Sequence, residues 1–245
     1  MRRRVPALLV LCLASGVSAE QATVAVAANF AWPMGELEAL FEADGVHELT
    51  VSSGSTGQLY AQIVNGAPYD LFLAADGERP RRLAEAGLGN APFAYALGRL
   101  ALWTREPRFT EGLTVDVLAG SNFDRLAIAN PRLAPYGVAA RDTLQALGLW
   151  ESLQAKIVFG ENVGQAFAMA ETRNAELGLV ALSAAVAYPG GAAYVTVPAE
   201  YHGPIRQDAI LLNRGRGNPA ALAFIDFLRG TAARRIIAET GFELP

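Results

Sequence analysis

The stretch Ser52–Tyr60, with the sequence SSGSTGQLY, contains the residues of this chain best suited to chemistry. Six consecutive residues are Ser, Thr or Gly, and an apolar pattern with helical spacing continues to Val64. Hydroxyl groups and glycines at the start of a helix are typical of an anion site, because the first N–H groups of a helix have no intrahelical partner. No Lys or Arg lies in this stretch, so neutral donors would have to hold the anion.

Three other turns have a related composition, and each stands between a predicted strand and a predicted helix. They are Ala28-Asn29, Pro135-Tyr136-Gly137 and Asn162-Val163-Gly164. Any one of these turns alone is explained as an ordinary helix cap, because caps favour the same residues. In an open α/β sheet, however, ligands bind beyond the carboxyl ends of the strands, where helix N-termini gather. Four such turns in one chain favour a shared anion site.

Other chemistry has little support in the sequence. The two histidines, His47 and His202, lie in polar or turn-like contexts and are expected at the surface. No cluster of His, Asp or Glu has metal-ligand spacing, and GSTG lacks the downstream GK[ST] of a nucleotide-binding loop. A secreted serine hydrolase built on Ser55, His202 and Asp208 is a distant alternative, because Ser55 lacks a convincing histidine partner late in the chain.

Residues 1–19 have the pattern of a signal peptide. Arg2, Arg3 and Arg4 precede an apolar run over Val5–Ala14, and the small residues Val17-Ser18-Ala19 follow. The apolar run is shorter than the roughly 20 residues that span a bilayer. Cys12, the only cysteine, lies within this run. The mature chain therefore has no disulfide, thiolate nucleophile or cysteine-ligated metal.

The charge of the mature chain also excludes classes of partner. Removing the three N-terminal arginines from the 20 basic residues leaves 17 against 24 acidic ones, a formal net charge of −7. An acidic chain is a poor candidate for binding nucleic acid or an anionic membrane. We expect neither partner, and we expect no cofactor.

The fold class follows from alternation of short apolar strands with amphipathic helices. Strands are predicted at Thr23–Ala28, Leu49–Ser52, Asp70–Ala74, Leu126–Ala129, Lys156–Phe159, Leu177–Val180 and Ile205–Leu212. Helices are predicted at Arg79–Ala86, Val138–Leu147, Gln165–Glu171, Leu182–Ala187, Pro219–Arg229 and Thr231–Thr240. Strands interleaved with helices imply a parallel sheet flanked by helices, so the fold class is α/β.

The segments VAVAANF, SSGSTGQLYAQIVNGAPYDLFLAAD, AIANPRLAPYG and ENVGQA resemble, in this order, the periplasmic molybdate-binding proteins of ABC importers. The resemblance spans the mature chain and is most specific from Ser52 to Asp76. It implies a two-lobe, type II-like periplasmic binding protein fold. Each lobe would be a mixed, mostly parallel sheet flanked by helices, with the ligand in the cleft. Lobe 1 is expected over residues 20–97 plus 206–245, and lobe 2 over residues 98–205.

The resemblance also implies a ligand site, formed by Ala28, Asn29, Ser55, Thr56, Tyr136 and Val163. Asn29 and Thr56 match positions on the first two turns, with Ser55 beside Thr56. Tyr136 and Val163 match positions that contribute mainly backbone N–H groups. Ala28 stands where some members have a hydroxyl residue, so it offers only its N–H.

Two further points about the donor set follow from the resemblance. Asn29, Thr56, Tyr136 and Val163 would contact the oxyanion oxygens, and none would ligate the metal atom itself. Ala181 stands where some members place a tyrosine that reaches the oxyanion, so the donors differ there.

The function implied is that of an exported, monomeric binding protein without enzyme activity. It would capture molybdate or tungstate in the periplasm and deliver it to an ABC permease. Molybdate is fully ionised near neutral pH and offers only acceptors, whereas a protonated phosphate brings a donor to a site of donors. The alternatives are the same fold binding another oxyanion, such as sulfate or phosphate, and the serine hydrolase that uses Ser55.

Overall fold

The computed structural model describes residues 20–245, so the predicted signal peptide and Cys12 lie outside the described residues. The strands within that range form two five-stranded sheets. They are β1 (Glu20–Ala27), β2 (His47–Gly54), β3 (Leu71–Leu73), β4 (Phe93–Gly98), β5 (Leu100–Thr104), β6 (Leu126–Ala129), β7 (Ile157–Gly160), β8 (Leu177–Ala181), β9 (Ala193–Thr196) and β10 (Ile205–Leu211).

Helices follow most of these strands and cover the sheets. They are α1 (Ala31–Phe41), α2 (Thr56–Val64), α3 (Glu78–Glu85), α4 (Pro107–Thr110), α5 (Pro135–Ala146), α6 (Trp150–Leu153), α7 (Val163–Glu171), α8 (Leu182–Ala187), α9 (Pro219–Arg229) and α10 (Thr231–Glu239). Among residues 20–245, no helix has both the length and the hydropathy needed to cross a bilayer.

The two sheets share one topology. The first has the order β2-β1-β3-β10-β4 and the second β7-β6-β8-β5-β9. In the first sheet β10 pairs antiparallel with both neighbours, and in the second sheet β5 does so. The other pairings are parallel, so four of the five strands in each sheet run in the same direction. The predicted α/β fold with mixed, mostly parallel sheets is confirmed.

Each sheet has its own hydrophobic core. Phe30, Met34 and Phe224 pack around the first sheet, whereas Trp103 and Phe123 pack around the second. The chain crosses between the sheets at Arg99, the single residue between β4 and β5, and returns ahead of β10. The division into lobes at residues 97/98 and 205/206 stays a prediction.

Several element boundaries differ from the prediction for local reasons. The sequence predicts a strand end at Ala28, but Ala28–Phe30 forms a 3-10 turn. Helix α5 begins at Pro135 rather than Val138, since proline fits the first position of a helix. Helix α7 begins at Val163 rather than Gln165, because Asn162 caps it. Strands β4, β5 and β9 were not predicted.

Candidate functional site

The four turns singled out in the sequence meet at one cavity between the two sheets. Its volume is about 10 Å³, roughly the space of one water molecule. None of its lining residues has a charged side chain, and all six predicted ligand residues are among them. The lining residues are Ala27, Ala28, Asn29, Gly54, Ser55, Thr56, Ala75, Ala134, Pro135, Tyr136, Asn162 and Val163.

Asn29 lies in the 3-10 turn Ala28–Phe30 that follows β1, and it is 4% exposed. Its Nδ2 donates to Oε1 of Gln207, in β10, over 2.8 Å. Its carbonyl oxygen accepts from the Ser183 hydroxyl, also at 2.8 Å. An amide nitrogen carries two hydrogens. Gln207 fixes the side chain through one of them, and the second can donate to a ligand in place of the Tyr136 phenol oxygen.

Ser55 and Thr56 use their hydroxyls differently. Ser55 caps α2: its Oγ accepts from Gln58 N at 3.2 Å and donates to Gln58 Oε1 at 2.9 Å. The Thr56 Oγ1 accepts a hydrogen bond from Ala75 N at 3.1 Å. A hydroxyl that accepts one bond still has its own proton to donate. Thr56 therefore offers the hydroxyl donor, and Ser55 acts as the helix cap.

Gly57 joins the two sides of the cavity. Its N–H donates to the carbonyl of Leu133, in the loop before α5, over 2.9 Å. A Cβ at Gly57 would lie 2.7 Å from that carbonyl oxygen, so glycine alone permits the approach. Next to it, Gln58 Nε2 donates to Glu161 Oε2 at 3.2 Å. The start of α2 thus contacts the loops before both α5 and α7.

Helices α5 and α7 supply backbone donors from the opposite side. Pro135, the first residue of α5, has no N–H, so Tyr136 is the first residue of that helix with one to offer. In α7, Asn162 Oδ1 accepts from Gln165 N at 3.0 Å, while Val163 at the first position lines the cavity. Three helix N-termini, each equivalent to about half a positive charge, therefore meet at the cavity.

The Tyr136 side chain is 2% exposed and stays protonated. Burial raises the pKa of its phenol well above the ordinary value, and a side-chain hydrogen bond with Asn29 lowers it only partly. Tyr95 lies close by. Burial raises its pKa too, and the nearby Tyr136 and Asp208 raise it further. Neither phenol carries a negative charge that would repel an anion near neutral pH.

The expected exposure of the histidines is wrong. His202 is buried, with Nδ1 2.8 Å from the Gly203 carbonyl oxygen. His47 is half-buried, and its ring stacks on Phe41 with centroids 6.0 Å apart.

The residues of the hydrolase alternative make other contacts. Ser55 is bonded to Gln58, and Asp208 accepts from Arg206 Nε at 2.6 Å. In the described chain, no hydrogen bond joins Ser55 to His202 or His202 to Asp208, so no Ser-His-Asp relay is formed.

Two residues that hold Asn29 in place were not predicted from the sequence. Gln207 is fully buried in a strand and holds Asn29; a polar residue within the apolar strand Ile205–Leu212 was the available signal. Ser183 follows the buried Ala181 by two residues, and its hydroxyl bonds the Asn29 backbone. The segment that carries a ligand tyrosine in some members of the resembling family thus supports Asn29 here.

A larger cavity of about 280 Å³ adjoins the first and shares Ala75 and Pro135 with it. It is lined by Ala75, Asp76, Glu78, Arg79, Pro135, Val138, Ala139, Asp142, Gly203, Pro204 and Ile205. Its charges are paired locally: Asp76 with Arg79, Glu78 with Arg82, and Asp142 with Arg141. Among residues 20–245, no group of three His, Cys, Asp or Glu is placed to hold a metal ion.

Comparisons with known proteins identify relatives over the whole described chain. The family model for a bacterial extracellular solute-binding protein matches residues 22–243. The molybdate-binding protein ModA of Azotobacter vinelandii is 42% identical over 249 residues, covering 100% of this chain and 98% of the relative. The protein of that name from Rhodobacter capsulatus is 39% identical over 236 residues, covering 96% and 92%. Among solved structures, the periplasmic molybdate-binding protein of Azotobacter vinelandii superposes with a TM-score of 0.85 at 37% identity, covering 91% of this chain and 99% of that one.

Proposed function

Since the chain belongs to the family of bacterial extracellular solute-binding proteins, we propose that it captures molybdate or tungstate and delivers it to an ABC permease. Relatives with 42% and 39% identity are named for molybdate binding, which supports this ligand. The solved relative is described as periplasmic, and we assign this chain to the same compartment after export. The proposed lobes are residues 20–97 plus 206–245 and residues 98–205, and the protein acts as a monomer.

One observation carries the proposal: uncharged donors from both sheets converge on one cavity. Asn29 and Thr56 follow strands of the first sheet, and Tyr136 and Val163 follow strands of the second. We propose that the Asn29 amide and the Thr56 hydroxyl donate from side chains, whereas Ala28, Tyr136 and Val163 donate backbone N–H groups. Ser55 contributes by capping α2. The five donor residues contact oxygen atoms of the anion, and none ligates its metal atom.

The chemistry of the donors explains the choice of anion. A fully deprotonated tetrahedral oxyanion has acceptors on every side, and helix N-termini with neutral donors meet them without a cation. A protonated phosphate would direct its O–H at another donor, which costs about 1–3 kcal/mol when both groups are buried. Sulfate has the charge of molybdate but shorter bonds, so cavity size must distinguish the two. Molybdate and tungstate are too alike for this site to separate strongly.

Binding requires the two lobes to separate and close again. The cavity volume of about 10 Å³ suits one water molecule rather than a tetrahedral oxyanion of five heavy atoms. The single residue Arg99 between β4 and β5 gives the chain a short crossing where such a hinge motion can be absorbed. Closure around the anion excludes water and strengthens each hydrogen bond.

A thermal-shift series tests the proposal. The protein is heated with equal concentrations of molybdate, tungstate, sulfate or phosphate. Ligand in hundredfold excess over its dissociation constant stabilises a protein by about 2.7 kcal/mol. We expect clear shifts with molybdate and tungstate and smaller ones with sulfate and phosphate. The proposal is wrong if neither heavy oxyanion shifts the transition. Ester turnover that disappears in Ser55→Ala would favour the hydrolase instead.

A further inference from the structure

Gly98 ends β4, one residue before the crossing at Arg99, and the Tyr136 side chain lies directly against it. A Cβ built on Gly98 would be 2.2 Å from the Tyr136 hydroxyl oxygen and 3.0 Å from Gln207 Nε2. Both atoms therefore occupy the space that a side chain at position 98 would need. Tyr136 belongs to α5 in the second sheet's layer, whereas Gly98 and Gln207 belong to the first sheet. The phenol thus reaches across the cleft.

The same phenol belongs to a buried group that includes a proposed ligand residue. Gln207 Oε1 accepts from Asn29 Nδ2 at 2.8 Å, and Gln207 Nε2 donates to the Ile205 carbonyl at 2.9 Å. The Tyr136 phenol lies beside Gln207 against Gly98, and the nearby Asn29 amide, as a donor, lowers the pKa of that phenol. Asn29, Tyr136 and Gln207 are each at most 4% exposed. We call Gly98, Asn29, Tyr136 and Gln207 the phenol cluster.

We propose that the phenol cluster positions the anion donors, with the Tyr136 side chain as a positioning group separate from its backbone N–H. This inference rests on the proposed function, because the donors are those assigned to the oxyanion. When the two sheets close on the anion, the phenol packs against Gly98 of β4 and stands beside Asn29. Tyr136 then has two roles. Its backbone N–H is held at the cavity on the side of the second sheet, and its phenol positions the Asn29 amide on the side of the first sheet.

A double-mutant cycle tests the contact, using wild type, Tyr136→Phe, Gly98→Ala and the double variant. Molybdate affinity and dissociation rate are measured by calorimetry and stopped flow. Tyr136→Phe removes one net hydrogen bond and should weaken binding about three- to tenfold, mainly through faster dissociation. Gly98→Ala should weaken binding more, because its methyl group displaces the phenol. The double variant should recover towards the affinity of Tyr136→Phe, since the hydroxyl oxygen at 2.2 Å is gone and only the less severe contacts with Gln207 Nε2 at 3.0 Å and the ring carbon Cζ at 3.1 Å remain.

Tyr95→Phe is the matched control. Its hydroxyl is also buried but has no hydrogen-bond partner among the described residues, and its ring packs edge-on against Phe30 at 4.9 Å. Removing that hydroxyl should leave molybdate affinity unchanged. A general effect of losing a buried phenolic oxygen would weaken both Tyr→Phe variants alike.

The possible results distinguish failure of the positioning role from failure of the proposed molybdate binding. Wild-type affinity in Tyr136→Phe, or additive losses in the double variant, would overturn the positioning role while molybdate binding stands. A wild-type protein that binds no molybdate would overturn the proposed function and the positioning role with it. In that case the unfolding temperatures of the four proteins still report the contact between Gly98 and Tyr136. A rescued double variant that binds molybdate supports both.

Discussion

The two adjoining cavities between the sheets differ in size and in charge. The smaller, of about 10 Å³, is lined by helix N-termini and uncharged side chains. The larger, of about 280 Å³, includes Asp76, Glu78, Arg79 and Asp142 in its lining. The two cavities share Ala75 and Pro135 in their linings. An anion that enters the smaller cavity past these two residues therefore passes through the larger one.

If the smaller cavity is the anion site, as proposed, charge does not mark the binding site in this cleft. The larger cavity has three carboxylates, each paired with an arginine on its own helix or turn. Ion pairs that water reaches, as it reaches these, contribute little binding energy and are screened by salt. The smaller cavity instead has donors fixed by buried hydrogen bonds, such as Asn29 to Gln207. Fixed neutral donors lose no energy in reorganising when the anion binds.

Removing a fixed hydrogen-bond donor should reduce molybdate affinity the most. Thr56→Val should weaken molybdate binding by about 10- to 100-fold, because hydrogen bonds to charged groups contribute about 1.5–3 kcal/mol. The ligand-free protein should stay folded but lose some stability, since Ala75 N–H loses its acceptor. Titration calorimetry measures the affinity. Thr56→Ser keeps the hydroxyl and should bind close to wild type. Unchanged affinity in Thr56→Val would show that Thr56 acts through its backbone alone.

Preventing the close contact between Gly57 and Leu133 should reduce molybdate affinity by an intermediate amount. A methyl group at position 57 would lie 2.7 Å from the Leu133 carbonyl oxygen when the cleft is closed. Overpacking of this kind costs about 1–3 kcal/mol, so Gly57→Ala should weaken binding by about tenfold or more.

Gly35→Ala is the matched control for the variant at position 57. Gly35 lies in α1, and a Cβ added there would have no other residue's atoms within 4 Å beyond its own helix backbone and chain neighbours. Alanine there should raise the free energy of unfolding by about 0.5–1 kcal/mol through helix propensity. Molybdate affinity should not change. Equal affinities for Gly57→Ala and Gly35→Ala would contradict the role of the contact with Leu133.

Changing a charge in the larger cavity should change molybdate binding the least. Asp142→Asn removes a carboxylate that pairs with Arg141 at 2.9 Å, both side chains being about one-third exposed. The association rate for molybdate should rise slightly at low ionic strength, and the difference should vanish at physiological salt. The dissociation rate should not change. A several-fold loss of affinity at physiological salt would show that the charged cavity takes part in binding.

The positions of the candidate site that depend on local chemistry could be predicted from the sequence. Thr56 and Val163 sit at helix starts that follow strands, and such starts have recognisable cap residues. Gln207 and Gly98 could not be found in this way, because their roles come from packing between distant segments. Asn29 and Gln207, for example, are 178 residues apart in the chain.

The elements that were missed have a physical reason too. Strands β4 and β5 lie in the nearly continuous apolar run FAYALGRLALWT, interrupted at Gly98 and Arg99. Such a run has no alternation, and hydrophobic periodicity cannot distinguish a buried strand from a buried helix there. The segment YHGP is typical of an exposed turn, yet here the turn packs beside the crossing region and buries the His202 ring.

Calorimetric titration with molybdate near neutral pH, in two buffers of different ionisation enthalpy, tests the central claim most directly. The claim is that neutral donors hold a fully ionised oxyanion, so binding should exchange no proton with the solvent. We expect one molybdate bound per chain with the same enthalpy in both buffers. An enthalpy that changes with the buffer, or no binding heat with molybdate in either one, would contradict the account.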